Sequence, residues 1–416
     1  MNPTAEELYR QREDRFNNIV ALRKPDRVAV APLITTYFTN RIRGVSNRDA
    51  IYKDVLRFDT IKEATLEFDW DLSPATGLQP AAAWEAIGTT QMSWPGHGLP
   101  DNASHQFIEG EYLHADEYDE FLAAPDHFTL TKIFPRIAAN LEGLAMLPPM
   151  SWLANSAYLP AIGGLVLGAP QVRKAIQSLL AMSDAVGDFF AAMAAHEQEM
   201  AALGYPVTVG APIVPPFDIV SDFLRGLKGS TLDMFRRPDK LLAAVDRARD
   251  IQIGVVRMLL QLSTNPRVFI PMHRGADGFM SDEQFEKFYW PQFKALVLAI
   301  IDAGGVPCPL FEGSYTSRLK YLAELPPGKI AAHFDKVDRQ KFKEVLGDTM
   351  CFWGNVPASL MITGTPMQVK DDVKRLIDLF GDTGALIIDS TVGAPDEAKP
   401  ENMHAMREAV EECGVF

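Results

Sequence analysis

From Arg267 onward the chain repeats one pattern: a short run rich in β-branched or aromatic residues, then a longer amphipathic stretch. The runs are RVFIPMH (267–273), VPCPLFE (306–312), KIAAHFD (329–335), MCFWGNV (350–356) and ALIIDST (385–391). A helix follows each, the first opening on Ser281-Asp-Glu-Gln, an N-cap with an acidic first turn, and stopping at Gly304-Gly305. Strand-then-helix units in succession are the mark of parallel strands joined by helical crossovers. Five such units without a glycine-rich dinucleotide loop favour a closed barrel over an open doubly wound sheet.

The first half is less regular. VAVAPLI (28–34) reads as a first strand and PVTVGAPI (206–213) as a middle one. Long helices are expected around 183–203 and 238–262. Residues 80–165 mix aromatics, prolines and glycines with weak periodicity, which suggests an insertion or lid near the site or barrel strands of low legibility. With no internal repeat or low-complexity linker, residues 1–416 are expected to form one α/β domain, with extension and lid elements mainly within 1–165.

Forty basic and 54 acidic residues give a net charge of −14. That balance argues against a nucleic-acid partner, which needs a basic patch, and against adhesion to an anionic membrane. Three cysteines are too few for a disulfide framework. The segment MNPTAEELYRQREDRF is charged and helical in pattern, without an apolar signal core. A cytoplasmic location is the expectation.

In strand-helix barrels the chemistry sits at the carboxyl ends of the strands. Those ends carry His273, Glu312, Asp335, Asn355 and Asp389. Side chains alternate along a strand, so His333 shares a face with Asp335, and Cys351 and Trp353 share one with Asn355. Polar groups on an inward face are costly unless partnered or functional, so the set suggests an ionisable pocket above an apolar floor. Any one of them could instead anchor a neighbouring loop. Glu312, His333 and Cys351 together offer the donor types of a zinc site; alternatively, Cys351 is a small buried hydrophobe and His333 a satisfied core histidine. Trp84, Trp94, Trp152, Trp290 and Trp353 are either core or part of a pocket wall.

Several stretches resemble the uroporphyrinogen decarboxylase superfamily. They are KPDRVAVAPLI near the start, EGEYLHADEYDEFLAAPDHF (109–128), DFLRGLKGSTLDMFRRPDKLL (222–242), FMSDEQFEKFYWPQFK (279–294), GDTMCFWGNVPASLMITGTPMQV (347–369) and KPENMHAMREAV (399–410). The resemblance implies a (β/α)8 TIM barrel with an N-terminal helical extension and insertions forming a lid. Decarboxylases of the superfamily carry an arginine-rich segment after the first strand; here that stretch reads TTYFTNRIRG, with only Arg41 and Arg43.

The sequence looks more like the corrinoid-dependent methyltransferases, especially those that demethylate aromatic ethers. Their usual His-x-Cys zinc pair is replaced by PLFEG, with Glu312 near the cysteine position, and IIDSTVG stands where a final cysteine would fall. Glu312 and His333 match two members of a Glu…Glu…His pattern, with Val297 in place of the first. The resemblance therefore implies transfer of a methyl group from a methylated small molecule, such as an aromatic methyl ether, to cobalamin. Zinc would be held by Glu312, His333 and Cys351. Glu312, His333 and Asp389 are the expected catalytic residues; His273, Asp335, Asn355 and Trp353 would bind substrate. No Asp-x-His-x-x-Gly corrinoid signature is present, so the cobalamin would arrive free or on a partner corrinoid protein. A homodimer is compatible with this reading. The alternative is a decarboxylase or lyase acting on an aromatic or tetrapyrrole acid.

Overall fold

A computed structural model of the chain describes residues 3–77, 80–151, 157 and 159–416. Trp152 lies outside them. Seven strands form one sheet in which every neighbour is parallel: β1 (Ala29–Val30), β2 (Ala211–Pro212), β3 (Arg267–Met272), β4 (Val306–Ser314), β5 (Ala331–Lys336), β6 (Cys351–Trp353) and β7 (Leu386–Ile388). Their spatial order is β1-β7-β6-β5-β4-β3-β2. The five strands expected in the second half are β3 to β7; β4 and β5 run on past their expected ends, to Ser314 and Lys336.

Backbone bonds from residues 71–77 reach β1 and the residues after it on one side, and residues 206–208, just before β2, on the other. Asp71 N donates to Val30 O at 2.8 Å and Ala75 N to Leu33 O at 3.2 Å, while Ser73 N donates to Pro206 O and Thr208 N to Ser73 O, each at 2.8 Å. On the far side of β2, Gly210 N and Ile213 N donate to Arg267 O and Phe269 O.

The helices follow from local chemistry. Ser281 caps the helix before β4 and forms a reciprocal capping box with Gln284; Thr365 does the same with Gln368 for Pro366–Phe380. The long helix expected at 183–203 spans Pro170–Ala202, and the one expected at 238–262 is Pro238–Leu262. Alternation splits the core in two, as a sheet buried on both faces requires. One face of the strands turns Phe334, Phe352, Ile388 and Met272 outward to the helices. The other turns Ala31, Cys308, Leu310, Ala331, Cys351, Trp353 and Ile387 inward, where Phe16 and Ile19 of the helix Ala5–Val20 pack against them.

Residues 80–151, expected to hold an insertion, contain a small three-stranded sheet (Met92–Pro95, Gly98–Leu99, Gln106–Phe107) and short helical turns. Leu113 and Tyr118 from this stretch join the main core.

Candidate active site

Strand β4 runs on to Ser314, and its inward residues Cys308, Leu310 and Glu312 climb from the floor to the carboxyl end. Glu312 is partly exposed there. At the end of β3 stands His273, whose Nε2 faces Glu312 Oε1 across 3.6 Å. That gap is too wide for a hydrogen bond, so both groups remain open to a third. Behind the imidazole, His273 Nδ1 donates to Asp222 Oδ2 at 2.6 Å, and Arg274 Nε donates to Asp222 Oδ1 at 2.6 Å. A carboxylate can only accept, so Nδ1 holds a proton and Nε2 is turned toward the mouth, carrying a second proton when the ring is an imidazolium.

A second carboxyl lies deeper. Asp218 is fully buried and accepts from His273 N (2.9 Å), Tyr289 OH (3.0 Å) and Arg274 N (3.2 Å). Asp218 and Asp222 sit one turn apart on the segment Pro216–Leu224 that follows β2.

This clustering sets the protonation states. Burial pushes Asp218 up to about 7, helped by the neighbouring Asp222 charge. Asp222 also suffers burial, but the bond from His273 and the charge of Arg274 outweigh it and hold it below the usual carboxylate range. Burial alone would lower His273; the Asp222 hydrogen bond, with Glu312 and Asp218 nearby, overrides it and raises the imidazole to about 9. Glu312 is raised by desolvation, only partly offset by His273. At neutral pH the site therefore presents an imidazolium with an ionised Asp222 behind it, and an Asp218 that titrates near neutrality.

The expected residues separate into two levels. Glu312, His273 and Asp335 reach the mouth; Asp335 accepts from Gly313 N at 3.0 Å, where φ of +84° favours glycine. Asn355 also lies there, but its Oδ1 accepts from Arg339 Nε (2.8 Å) and its Nδ2 donates to Asp335 O (3.2 Å), so it anchors the loop. His333 and Asp389 pair one layer down, fully buried, with Nε2 2.8 Å from Oδ2. Leu33 N and Ser390 N donate to the same carboxylate.

Two expectations do not fit this arrangement. Trp353 is fully buried and donates from Nε1 to Ala31 O across the interior at 2.8 Å; it fills the core and does not wall a pocket. Cys351 pairs in register with Ala331, and His333 with Leu310. That register places Cys351 four residues below Glu312, about 13 Å along the strand at 3.3 Å per residue. Zinc ligands lie within about 2.3 Å of one ion, so Glu312, His333 and Cys351 cannot share it. Burial also drives the Cys351 thiol far above its ordinary range. Among the described residues, no three His, Cys, Asp or Glu side chains are grouped to hold a metal ion, and the donors present do not fit the expected zinc site.

Sequence reasoning missed Asp218, Asp222, Arg274 and Tyr289. The first two were visible as two acids four apart in the apolar stretch PFDIVSDFL, but that stretch is helical and fell outside a search of strand ends.

Beside Asp335 and Asn355 opens a pocket of about 640 Å³, lined also by Lys336, Arg339, Ser359 and Thr391. The two arginines after β1 are engaged elsewhere. Arg43 pairs with Glu63 and Glu67, and Arg41 donates to the carbonyls of Asp396 and Ala398.

The sequence model of the uroporphyrinogen decarboxylase (URO-D) family matches residues 166–413, well over half of the chain. No curated protein matches it. Among solved structures, a methyltransferase from Methanosarcina mazei is similar over 96% of this chain and 97% of its own, with a TM-score of 0.61 and 14% sequence identity. At that identity the likeness is one of fold.

Proposed function

Because the chain belongs to the uroporphyrinogen decarboxylase family of enzymes, we propose that it is a methyltransferase of that family, moving a methyl group from a methylated small molecule, such as an aromatic methyl ether, to a reduced corrinoid. The family is built on TIM barrels, and the bonds of residues 71–77 to β1 and to the residues leading into β2 support an eighth strand closing a (β/α)8 barrel. The fold shared with a methyltransferase is in keeping with the same reading.

One observation carries it: the Asp222–His273 pair turns Nε2 to the mouth beside Glu312, and the two groups, 3.6 Å apart, are not hydrogen-bonded to each other. An ether oxygen is a poor leaving group and needs a proton as its bond to the methyl carbon breaks. Bound at the mouth against His273 Nε2, that oxygen accepts its proton and departs as the neutral alcohol or phenol. The methyl group passes to the corrinoid, a second substrate that supplies the nucleophile. Glu312 lines the same mouth, and Asp222 stabilises the imidazolium before transfer. Asp335 and the adjoining pocket would receive the rest of the methylated molecule.

A decarboxylase needs cations free to hold substrate carboxylates. Arg41 and Arg43 are held by carbonyls and by glutamates, which weighs against that alternative.

The test is product analysis. The purified chain, reduced corrinoid and a panel of methoxylated aromatics should yield the demethylated phenol, and His273→Gln should lower the rate by roughly 10²–10⁴-fold, the range of a lost general acid. No phenol from any panel member would sink the methyl-transfer reading; full activity in His273→Gln would remove the acid from this residue.

A further inference from the structure

Between Gly143 and Val172 the chain holds no Asp, Glu, Lys or Arg. Elsewhere such residues are frequent, and the whole chain is strongly acidic, so this run stands apart. Its described parts form two helical pieces, Ala139–Met146 and Leu159–Leu167, joined to the helix Pro170–Ala202. Leu141 and Leu144 of the first piece pack on Val172 and Ala175 of that helix, with Val166 of the second piece partly buried against them. Their outer sides stay in solvent: Leu165 is 78% exposed, Leu180 61%, Met146 53% and Met150 52%. Isolated surface hydrophobes are ordinary, but a run of large ones on consecutive elements marks a surface built to be covered.

We propose that this surface inserts into the headgroup layer of a lipid bilayer, making the protein a monotopic, membrane-associated enzyme. Two features favour lipid over another protein. Protein interfaces rely on polar, charged rims, whereas the described exposed side chains between Gly143 and Val172, among them Met146, Met150, Leu159, Leu165 and Leu167, carry no charge. At the end of the run stand Arg173 and Lys174, both exposed and, among the described residues, without an ion pair. A cationic pair at the border of an apolar face complements lipid phosphates.

Insertion is shallow. The helix Pro170–Ala202 is long and apolar enough to cross a bilayer by length and composition. Its second half is nonetheless tied into the protein, with His196 buried and its Nε2 3.2 Å from Ser73 Oγ. Only the uncharged run and the start of the helix are free to enter lipid, to the roughly 5–10 Å depth of interfacial helices. The net charge of −14 speaks against electrostatic adhesion of the whole molecule, and the attachment inferred here is apolar and local.

Vesicle flotation of the full chain tests it. Phosphatidylcholine vesicles with added phosphatidylglycerol should carry the protein upward, and the double variant Leu165→Glu, Leu167→Glu should remain at the bottom with an unchanged circular dichroism spectrum and Tm. The double variant Arg173→Glu, Lys174→Glu should lose any preference for phosphatidylglycerol. Failure of the unaltered chain to float with either vesicle overturns the proposal. So does a dimer in light scattering that the leucine variant dissociates, because the covering surface would then be a second copy.

Discussion

At the residue scale, the chemistry turns on how one imidazole is held. Without Asp222 opposite Nδ1, burial would lower His273; with it, the ring keeps its proton to about pH 9. The sign of the resulting pH dependence is fixed. The acid form is present below the folded pKa, so activity should persist through neutral pH and fall as pH rises through about 9. Asp222→Asn removes the main opposing charge, and the alkaline limb should move down toward the ordinary histidine value of about 6.5. A pH–rate profile, with the His273 resonances followed by NMR, checks this; an unmoved limb would detach Asp222 from the titration. Glu312→Gln keeps the shape but removes the carboxyl group, and should raise KM or lower kcat while leaving the fold intact. The same imidazolium adds stability that is complete below about pH 6.5 and lost as pH rises through about 9.

At the scale of elements, strand register separates the roles. Glu312 and Asp335 top β4 and β5, His333 lies one inward position lower, and Cys351 lower still. His333→Ala should therefore act on stability: it strands the fully buried Asp389 and should cost about 3–5 kcal/mol, read from urea unfolding. Cys351→Ala should leave activity and metal content unchanged and cost about 1 kcal/mol. Loss of a bound metal in that variant, by elemental analysis, would contradict the register argument. Sequence reading did well wherever one strand followed another at a regular interval, because ALIIDST or RVFIPMH are apolar runs bounded by clear helix signals. It did poorly on the first half for a physical reason. Pro32, Pro206 and Pro212 cannot donate to a ladder, and β1 and β2 pair over only two residues each, so neither leaves a long alternating signature. The search of strand ends found His273 and Glu312 but could not reach Asp218 and Asp222, which enter the site from a helix.

At the scale of the whole molecule, one buried carboxylate ties the chain ends to the sheet. Asp71 is fully buried, takes Arg15 Nη1 at 2.6 Å and Arg27 Nη1 and Nη2 at 2.8 and 2.6 Å, and faces Arg407 at 3.9 Å. Burial would raise it, but the three guanidinium groups hold it below its ordinary range. It thus joins the first helix, β1 and the last helix (Pro400–Cys413), with Arg27 also bridging to Val415. Asp71→Asn should cost about 3–5 kcal/mol by leaving buried cations unpaired. The intact carboxylate contributes stability above its unfolded value of about 3.9, lost as pH falls. On this frame the mouth opens at one end of the strands, and the uncharged run 143–172 supplies a separate surface for lipid.

The central claim is methyl transfer driven by a proton from His273. Its most direct test is a single turnover of the full chain mixed anaerobically with cob(I)alamin and a methoxylated aromatic, followed by absorption spectroscopy. Appearance of the methylcobalamin spectrum is expected, with a rate that declines above about pH 9 and is lost in His273→Gln. No spectral change across a broad panel, or the same rate and pH profile in His273→Gln, would contradict it.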